Sequence, residues 1–189
     1  MPAPLMSREQ VLEKLIAEFR ARGYDATSMN DIATATGLGK SSLYHHFPGG
    51  KEQMAADVLE HLREALRSNV FEPLRSVTPA RRRFDQLLRA IDAFYAGGEH
   101  ACLLERLCAS EQAAALRRPL RSTFRVMMGA FEEAALDANL PAALARARAE
   151  DAVVRIEGAL VMCAGIGETG PFQRVMRSLK RDFLESPTR

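Results

Sequence analysis

The stretch Ala26-Thr27-Ser28-Met29-Asn30-Asp31-Ile32-Ala33-Thr34-Ala35-Thr36-Gly37-Leu38-Gly39-Lys40-Ser41-Ser42-Leu43-Tyr44-His45-His46-Phe47-Pro48-Gly49-Gly50-Lys51 reads as two short helices broken by one tight turn. Ser28 with Asp31 three places on is a capping-box pattern that opens the first helix. Ile32 and Ala33 face inward, and Gly37 ends the helix because it tolerates a left-handed backbone. Gly39 then serves as N-cap of a second helix that runs through Lys40, Ser41, Ser42, Leu43, Tyr44, His45, His46 and Phe47. Leu43 and Phe47, four apart, pin that helix to its neighbours and leave its hydrogen-bonding side chains outward. Two helices joined by a Gly-containing turn, the second studded with polar groups, is the helix-turn-helix arrangement that enters the major groove of DNA.

Working outward, Ser7 and Gln10 form a second capping box ahead of an apolar stripe, Val11, Leu12, Leu15, Ile16 and Phe19, which closes at Gly23. That helix closes a three-helix core. After Pro48-Gly49-Gly50 a long helix begins at Lys51, with Met54, Ala55, Val58, Leu59, Leu62 and Leu66 inward. Pro73 and Pro79 bracket a loop around Arg75–Thr78. Next come a helix with Phe84, Leu87, Leu88, Ile91, Phe94 and Tyr95 at helical spacing, a stop at Gly97-Gly98, and a short helix from Cys102 to Ala109. A further helix is expected from Pro119, in its first turn, to Ala138, and two more at about 142–164 and 171–184. No convincing alternating strand is present. The chain is therefore expected to be all-α, with a three-helix domain at residues 1–50 and a larger helical domain at 51–189.

Composition sets limits on function. The 189 residues carry a formal net charge of +2, and residues 1–50 hold five Lys/Arg and five Asp/Glu. Any affinity for DNA must then come from local placement rather than a basic tail. The three cysteines, Cys102, Cys108 and Cys163, form no close pair, so reduced and structural thiols are favoured over a redox sensor. The first six residues lack a basic region before an apolar run, so no signal peptide is expected. The apolar run at Ala152–Gly167 contains Arg155 and Glu157 and falls short of the roughly 20 residues a membrane span needs. A cytoplasmic protein without a membrane partner is the expectation.

Several chemistries find no foothold. Gly39-Lys40-Ser41 lacks the first glycine of a phosphate-binding loop, since Thr34 stands there. No His-Glu-x-x-His and no Gly-x-Ser-x-Gly occurs. Adjacent His45 and His46 diverge on a helix and have no Cys or acid to complete a metal site. No enzyme, metal or cofactor is expected.

The segment resembles the DNA-binding domain of the TetR/AcrR family of bacterial one-component regulators. The matching residues are Thr27-Ser28, Asp31-Ile32-Ala33, Gly37-Leu38, Lys40, Leu43 to Phe47, and Pro48-Gly49-Gly50-Lys51-Glu52. Ala152 to Leu160, with Ile156-Glu157-Gly158-Ala159-Leu160, is similar to the penultimate helix of such regulators. Two departures stand out: Gly39 replaces the usual Ser, and the Phe-to-Lys spacing is one residue longer than the commonest form. The DNA-contact candidates are Thr27, Ser28, Lys40, Ser41, Ser42, Tyr44, His45, His46 and Lys51. The resemblance implies a backbone-holding role for Tyr44 and Lys51. It also implies an inducer cavity among the middle helices, where Phe84, Leu88, Ile91, Tyr95, Phe124, Met127, Met128 and Phe131 form an aromatic and Met stripe. Residue by residue, that stripe reads as core more readily than as pocket.

The last two helices are too apolar for a monomer surface. Val153, Ile156, Gly158 and Leu160 on one, with Phe172, Val175 and Leu179 on the other, are the expected dimerisation residues. Together these readings describe a homodimeric repressor that binds a near-palindromic double-stranded operator and is released by a small apolar inducer. Two alternatives remain open: a ligand-binding or adaptor protein that has lost DNA affinity, and an enzyme with an unrecognised site.

Overall fold

Both capping boxes form. Gln10 N donates to Ser7 Oγ at 3.2 Å while Ser7 N donates to Gln10 Oε1 at 2.9 Å, which starts α1 (Arg8–Arg22). The same reciprocal pair at Ser28 and Asp31 starts α2 (Met29–Thr36), and Gly37, at φ 70°, ends it in the left-handed conformation. Then follow α3 (Lys40–His46), α4 (Gly50–Ala65), a π-helical segment (Leu66–Phe71), α5 (Ala80–Phe94) and a 3₁₀ turn (Ala96–Gly98). The chain continues through α6 (Leu103–Cys108), α7 (Ala113–Asp137), α8 (Ala142–Ile166) and α9 (Gly170–Asp182). This is a computed structural model that describes residues 6–72, 79–111 and 113–185; the loop expected at Arg75–Thr78 and the first five residues lie outside the described residues. No strand occurs among the described residues, and the fold is all-α. None of these helices is long and apolar enough to cross a membrane.

Packing divides the chain into two units, with a cut inside α4 between Leu62 and Arg63. The first comprises Met1–Leu62 and Leu103–Thr123; the second comprises Arg63–Cys102 and Phe124–Arg189. In the first unit α1 packs on α2 and on α6, around fully buried Val11, Leu15, Phe19, Ile32, Leu43, Phe47 and Leu107. All six residues expected on the inner face of the long helix are buried, from Met54 to Leu66. Asp25, between α1 and α2, accepts from Ser110 Oγ at 2.8 Å and Glu111 N at 3.0 Å, tying the chain after α6 into this unit.

In the second unit α8 packs on α9, and α9 on α5. Its centre is aromatic: Phe84 stacks on Phe183 with centroids 4.5 Å apart and planes 9° apart, and Phe131 meets both rings at an angle. The Arg148 guanidinium donates to the backbone carbonyls of Asp182 and Phe183, a cationic cap on the end of α9.

Two expectations need correction. α7 begins at Ala113, so Pro119 lies inside the helix rather than in its first turn; Thr123 Oγ1 takes up the Pro119 carbonyl at 3.1 Å. Cys108 is exposed, while Cys102 and Cys163 are buried. The six-residue separation of Cys102 and Cys108 makes both inward positions incompatible with a single helical face.

Gly98 has φ 102°, and a Cβ there would lie 2.9 Å from Phe172 Cβ. Gly129 sits in α7 with nothing within 4 Å of a Cβ. Gly98→Ala is expected to lower unfolding stability by about 1–3 kcal/mol, whereas Gly129→Ala raises it by up to about 1 kcal/mol. Urea denaturation of the two variants checks the pair.

Candidate functional site

The recognition face is assembled on a helix of seven residues, too short to persist alone. Leu43 and the following Phe47 are both fully buried and anchor it from inside. Arg8 anchors it from its C-terminal end, donating from Nη1 to His46 O at 2.8 Å and from Nη2 to Asp57 Oδ2 at 2.6 Å. The guanidinium also sits 4.7 Å from the Phe47 ring centroid. A cation in the first turn of α1 opposes that helix's dipole, and this was the available signal that Arg8 serves another element.

Outside these anchors, Lys40, Ser41, Tyr44 and His45 are exposed and form one strip, two i, i+4 pairs side by side. Tyr44 is 48% exposed. Ser42 and His46 border the strip and are half-buried. Gly39 caps α3 without a side-chain bond, so the N–H groups of its first turn are left for another acceptor.

The remaining DNA-contact candidates are already engaged within the protein. Thr27 is fully buried and its hydroxyl donates to Gly23 O at 2.6 Å, so this side chain has no face to offer a duplex. Ser28 is exposed, and its Oγ donates to Asp31 Oδ2 at 2.6 Å. That donation is the chief reason the Asp31 carboxyl is held below its usual range. Lys51 Nζ donates to Tyr24 O at 2.9 Å and Thr27 O at 3.0 Å, and lies 4.4 Å from the Tyr24 ring centroid. It staples the α1–α2 connection from the first turn of α4. Burial, then Glu52 and Asp25, push the Tyr24 phenol up.

In the second unit, an apolar slot is lined by Leu66, Val70, Phe71, Ala90, Ile91, Phe94, Tyr95, Met127 and Phe131. Its cavity volume is only about 10 Å³. Four of the eight expected ligand residues, Ile91, Tyr95, Met127 and Phe131, come together here. Phe84 and Leu88 are buried in the unit's core, Phe84 in the aromatic stack; Phe124 and Met128 are half-buried, and Met128 lines a separate hollow with Arg125 and Arg146. Met127 and Met128 diverge because neighbours on a helix lie about 100° apart. Tyr95 OH, buried, donates to Glu157 Oε1 at 3.4 Å and lies 3.8 Å from Cys102 Sγ. Burial, with Cys102 and Glu157 beside it, raises its phenol well above the usual value. Leu66, Val70, Phe71, Ala90 and Phe94 complete the slot, and the run Leu62, Leu66, Val70 with every fourth residue apolar was their only trace in sequence.

Five of the seven expected dimer residues, Val153, Ile156, Leu160, Phe172 and Leu179, fill the protomer's own core instead. Val175 is half-buried. A different stripe of α8 carries exposed apolar groups: Val154 (63% exposed), Val161, Met162 and Ile166, with Gly158 and Gly165 among them and open space beside both glycines. The expectation took the more apolar face for the outer one; the richer face is turned inward onto α9.

Comparison with known proteins places these features in context. The family model for bacterial regulatory proteins of the tetR family matches residues 11–58. Among curated relatives, the HTH-type transcriptional regulator LmrA of Bacillus subtilis is 38% identical over 72 residues, a match covering 38% of this chain and 38% of LmrA. A TetR transcriptional regulator from Legionella pneumophila has the same fold, with a TM-score of 0.83 at 18% identity over 94% of this chain and 98% of that one. The TetR-family regulator CifR, solved as a cysteine mutant with 26-base-pair operator DNA, superposes with a TM-score of 0.73 at 21% identity, over 94% of this chain and 97% of that one.

Two outcomes follow for the anchors. Arg8→Ala should cost about 1 kcal/mol, the lower end expected for a charged hydrogen bond once solvent exposure is allowed for, read by urea denaturation. Because Asp31 has a depressed folded-state pKa, its contribution is present above the unfolded value of about 3.9 and lost as pH falls through the folded value. Asp31→Asn should therefore flatten part of the acid limb below about pH 4 in a circular-dichroism titration.

Proposed function

We propose that this chain, which belongs to the TetR family of bacterial regulatory proteins, is a cytoplasmic transcriptional repressor acting as a homodimer on a near-palindromic operator. The observation that carries this reading is the exposed strip Lys40, Ser41, Tyr44 and His45 on a helix held from within by Leu43 and Phe47. Lys40 reaches phosphate or a guanine edge, Ser41 either phosphate or base, and Tyr44 the backbone. Ser42, His46, Ser28 and Lys51 flank the strip. The free N–H groups at the start of α3 offer an additional phosphate contact.

Residues 1–50 act as the DNA-binding part and residues 51–189 as the ligand-binding and dimerisation part. The second copy docks on the exposed stripe of α8, where Gly158 lets two helices approach closely. Two recognition helices then address successive major grooves about 34–36 Å apart or a multiple of it. A small apolar inducer enters the slot at Ile91, Tyr95, Met127 and Phe131. It favours a state in which α4 has moved, the recognition helices lose their spacing, and DNA is released. Operator DNA weakens inducer binding by the same factor.

The balanced charge of residues 1–50 favours one alternative, an adaptor that keeps the fold without DNA affinity. A gel shift with DNA flanking the protein's own gene separates the two. Tyr44→Ala should abolish the shift without altering the circular-dichroism spectrum, and affinity should fall steeply with added salt. No shift at low salt with any flanking fragment would favour the adaptor. Val161→Glu should convert the dimer to monomer in sedimentation velocity and remove operator binding with it.

A further inference from the structure

One wall of the apolar slot is not α-helical. Leu66–Phe71 is a π-helix continuous with α4, and Glu72 N donates to Arg67 O, closing a turn over five residues. Such segments are rare and concentrate at functional positions. A π turn holds one residue more than an α turn, so its return to α register expels that residue and withdraws the side chains beside it. Leu66, Val70 and Phe71 of this segment line the slot together with Ile91, Met127 and Phe131.

The outer side of the same segment is tied by charge. Arg67 Nη1 donates to Glu72 Oε1 at 2.8 Å, and Nη2 donates to Glu64 Oε1 at 2.7 Å. On an α-helix, residues five apart point about 140° away from each other around the axis, whereas residues three apart are neighbours. The Glu64 pair fits either register, but the Glu72 pair is made by the π register. Ser68 Oγ donates to Glu64 O at 2.6 Å, occupying a carbonyl where the α ladder gives way. The facing walls, α5 and α7, are α-helical and meet in the edge-to-face aromatics Phe84 and Phe131.

Resting on the reading of this slot as the inducer site, we propose that Leu66–Phe71 is its gate. An uncharged apolar molecule enters as the segment passes from π to α register, and the Arg67–Glu72 pair latches the closed form. The slot as it stands has room for at most about one water, so some wall must retreat, and the π segment is the wall with a residue to give up. The ligand is uncharged because the lining is apolar apart from Tyr95, whose hydroxyl already donates to Glu157.

The test titrates N-phenyl-1-naphthylamine, an uncharged apolar fluorophore, into the full-length protein and three variants, with amide hydrogen exchange as a second readout. Ala90→Leu fills the slot and should weaken dye binding by about tenfold or more. Glu72→Gln removes the charge of the latch and should tighten binding by about twofold to fivefold, the range for an exposed ion pair acting through the competent fraction. Deleting Asn69 removes the surplus residue and should tighten it further. Dye should also change exchange at residues 66–72 of the parent protein. If the parent protein does not bind the dye, or Ala90→Leu binds it unchanged, the slot reading falls and the gate with it. If Ala90→Leu loses binding while Glu72→Gln matches the parent and exchange at 66–72 stays unmoved, the gate is overturned and the slot stands. A deletion variant that fails to fold leaves the decision to Glu72→Gln and the exchange data, which suffice.

Discussion

The burial of Leu43 and Phe47 beneath α3 is the constraint on which the rest of the first unit depends. A seven-residue helix has no independent stability in water, because nucleation consumes more conformational entropy than so few hydrogen bonds return. Its exposed strip therefore exists only as long as its inner side is held. The holding is redundant: two apolar side chains from within, Arg8 across the C-terminal carbonyl of His46, and Gly37 in the left-handed conformation at the turn before it. Lys51 adds a second staple at the α1–α2 connection. Three different chemistries fix one short helix, so no single exposed contact decides its orientation.

The same economy explains which charged residues are left for a partner. Arg8 and Lys51, two basic residues of the first unit, are committed to backbone carbonyls. With residues 1–50 electrically balanced, the outward charge of α3 itself reduces to Lys40. Under the proposed function, recognition by this surface would lean on hydroxyl and imidazole hydrogen bonds and on backbone N–H groups more than on a broad positive field, and a field of that kind is what supplies most nonspecific affinity.

Local signals in the sequence were legible because they have local causes. Capping boxes at Ser7 and Ser28 and the stops at Gly23 and Gly37 depend on neighbours within four residues, and all formed. The inner faces of α1 and α4 followed from their spacing. Pro119 misled because a proline is tolerated at a helix start, whereas α7 already begins at Ala113 and carries this proline in its interior. The dimer residues misled for a more general reason. Two apolar stripes on α8, at Val153/Ile156/Leu160 and at Val154/Val161/Met162, are both plausible from sequence, and only the position of α9 decides which is covered. Arg8 left only its unfavourable place in the first turn of α1 as a signal, while Asp25 and the π turn were out of reach, since the first acts on residues far along the chain and the second is a backbone register that residue type does not encode.

Under the proposed induction, energetics constrain how the slot would open. Shifting a two-state protein from mostly one form to mostly the other takes a differential affinity of about 5.5 kcal/mol. A small apolar molecule that hides about 200 Å² of its surface gains about 5 kcal/mol from leaving water. That gain is no larger than the shift itself requires, so none of it remains for prising apart a packed core. Opening by displacing α5 from α7 would separate Phe84 from Phe131 and leave a void among close-packed rings, a change that costs several kcal/mol in a core of this kind. Exchange of a π turn for an α turn keeps nearly the same number of backbone hydrogen bonds and exchanges one exposed ion pair for solvent. Of the walls around the slot, the one that directly continues α4 is thus also the one whose movement would draw least on the binding energy of a ligand.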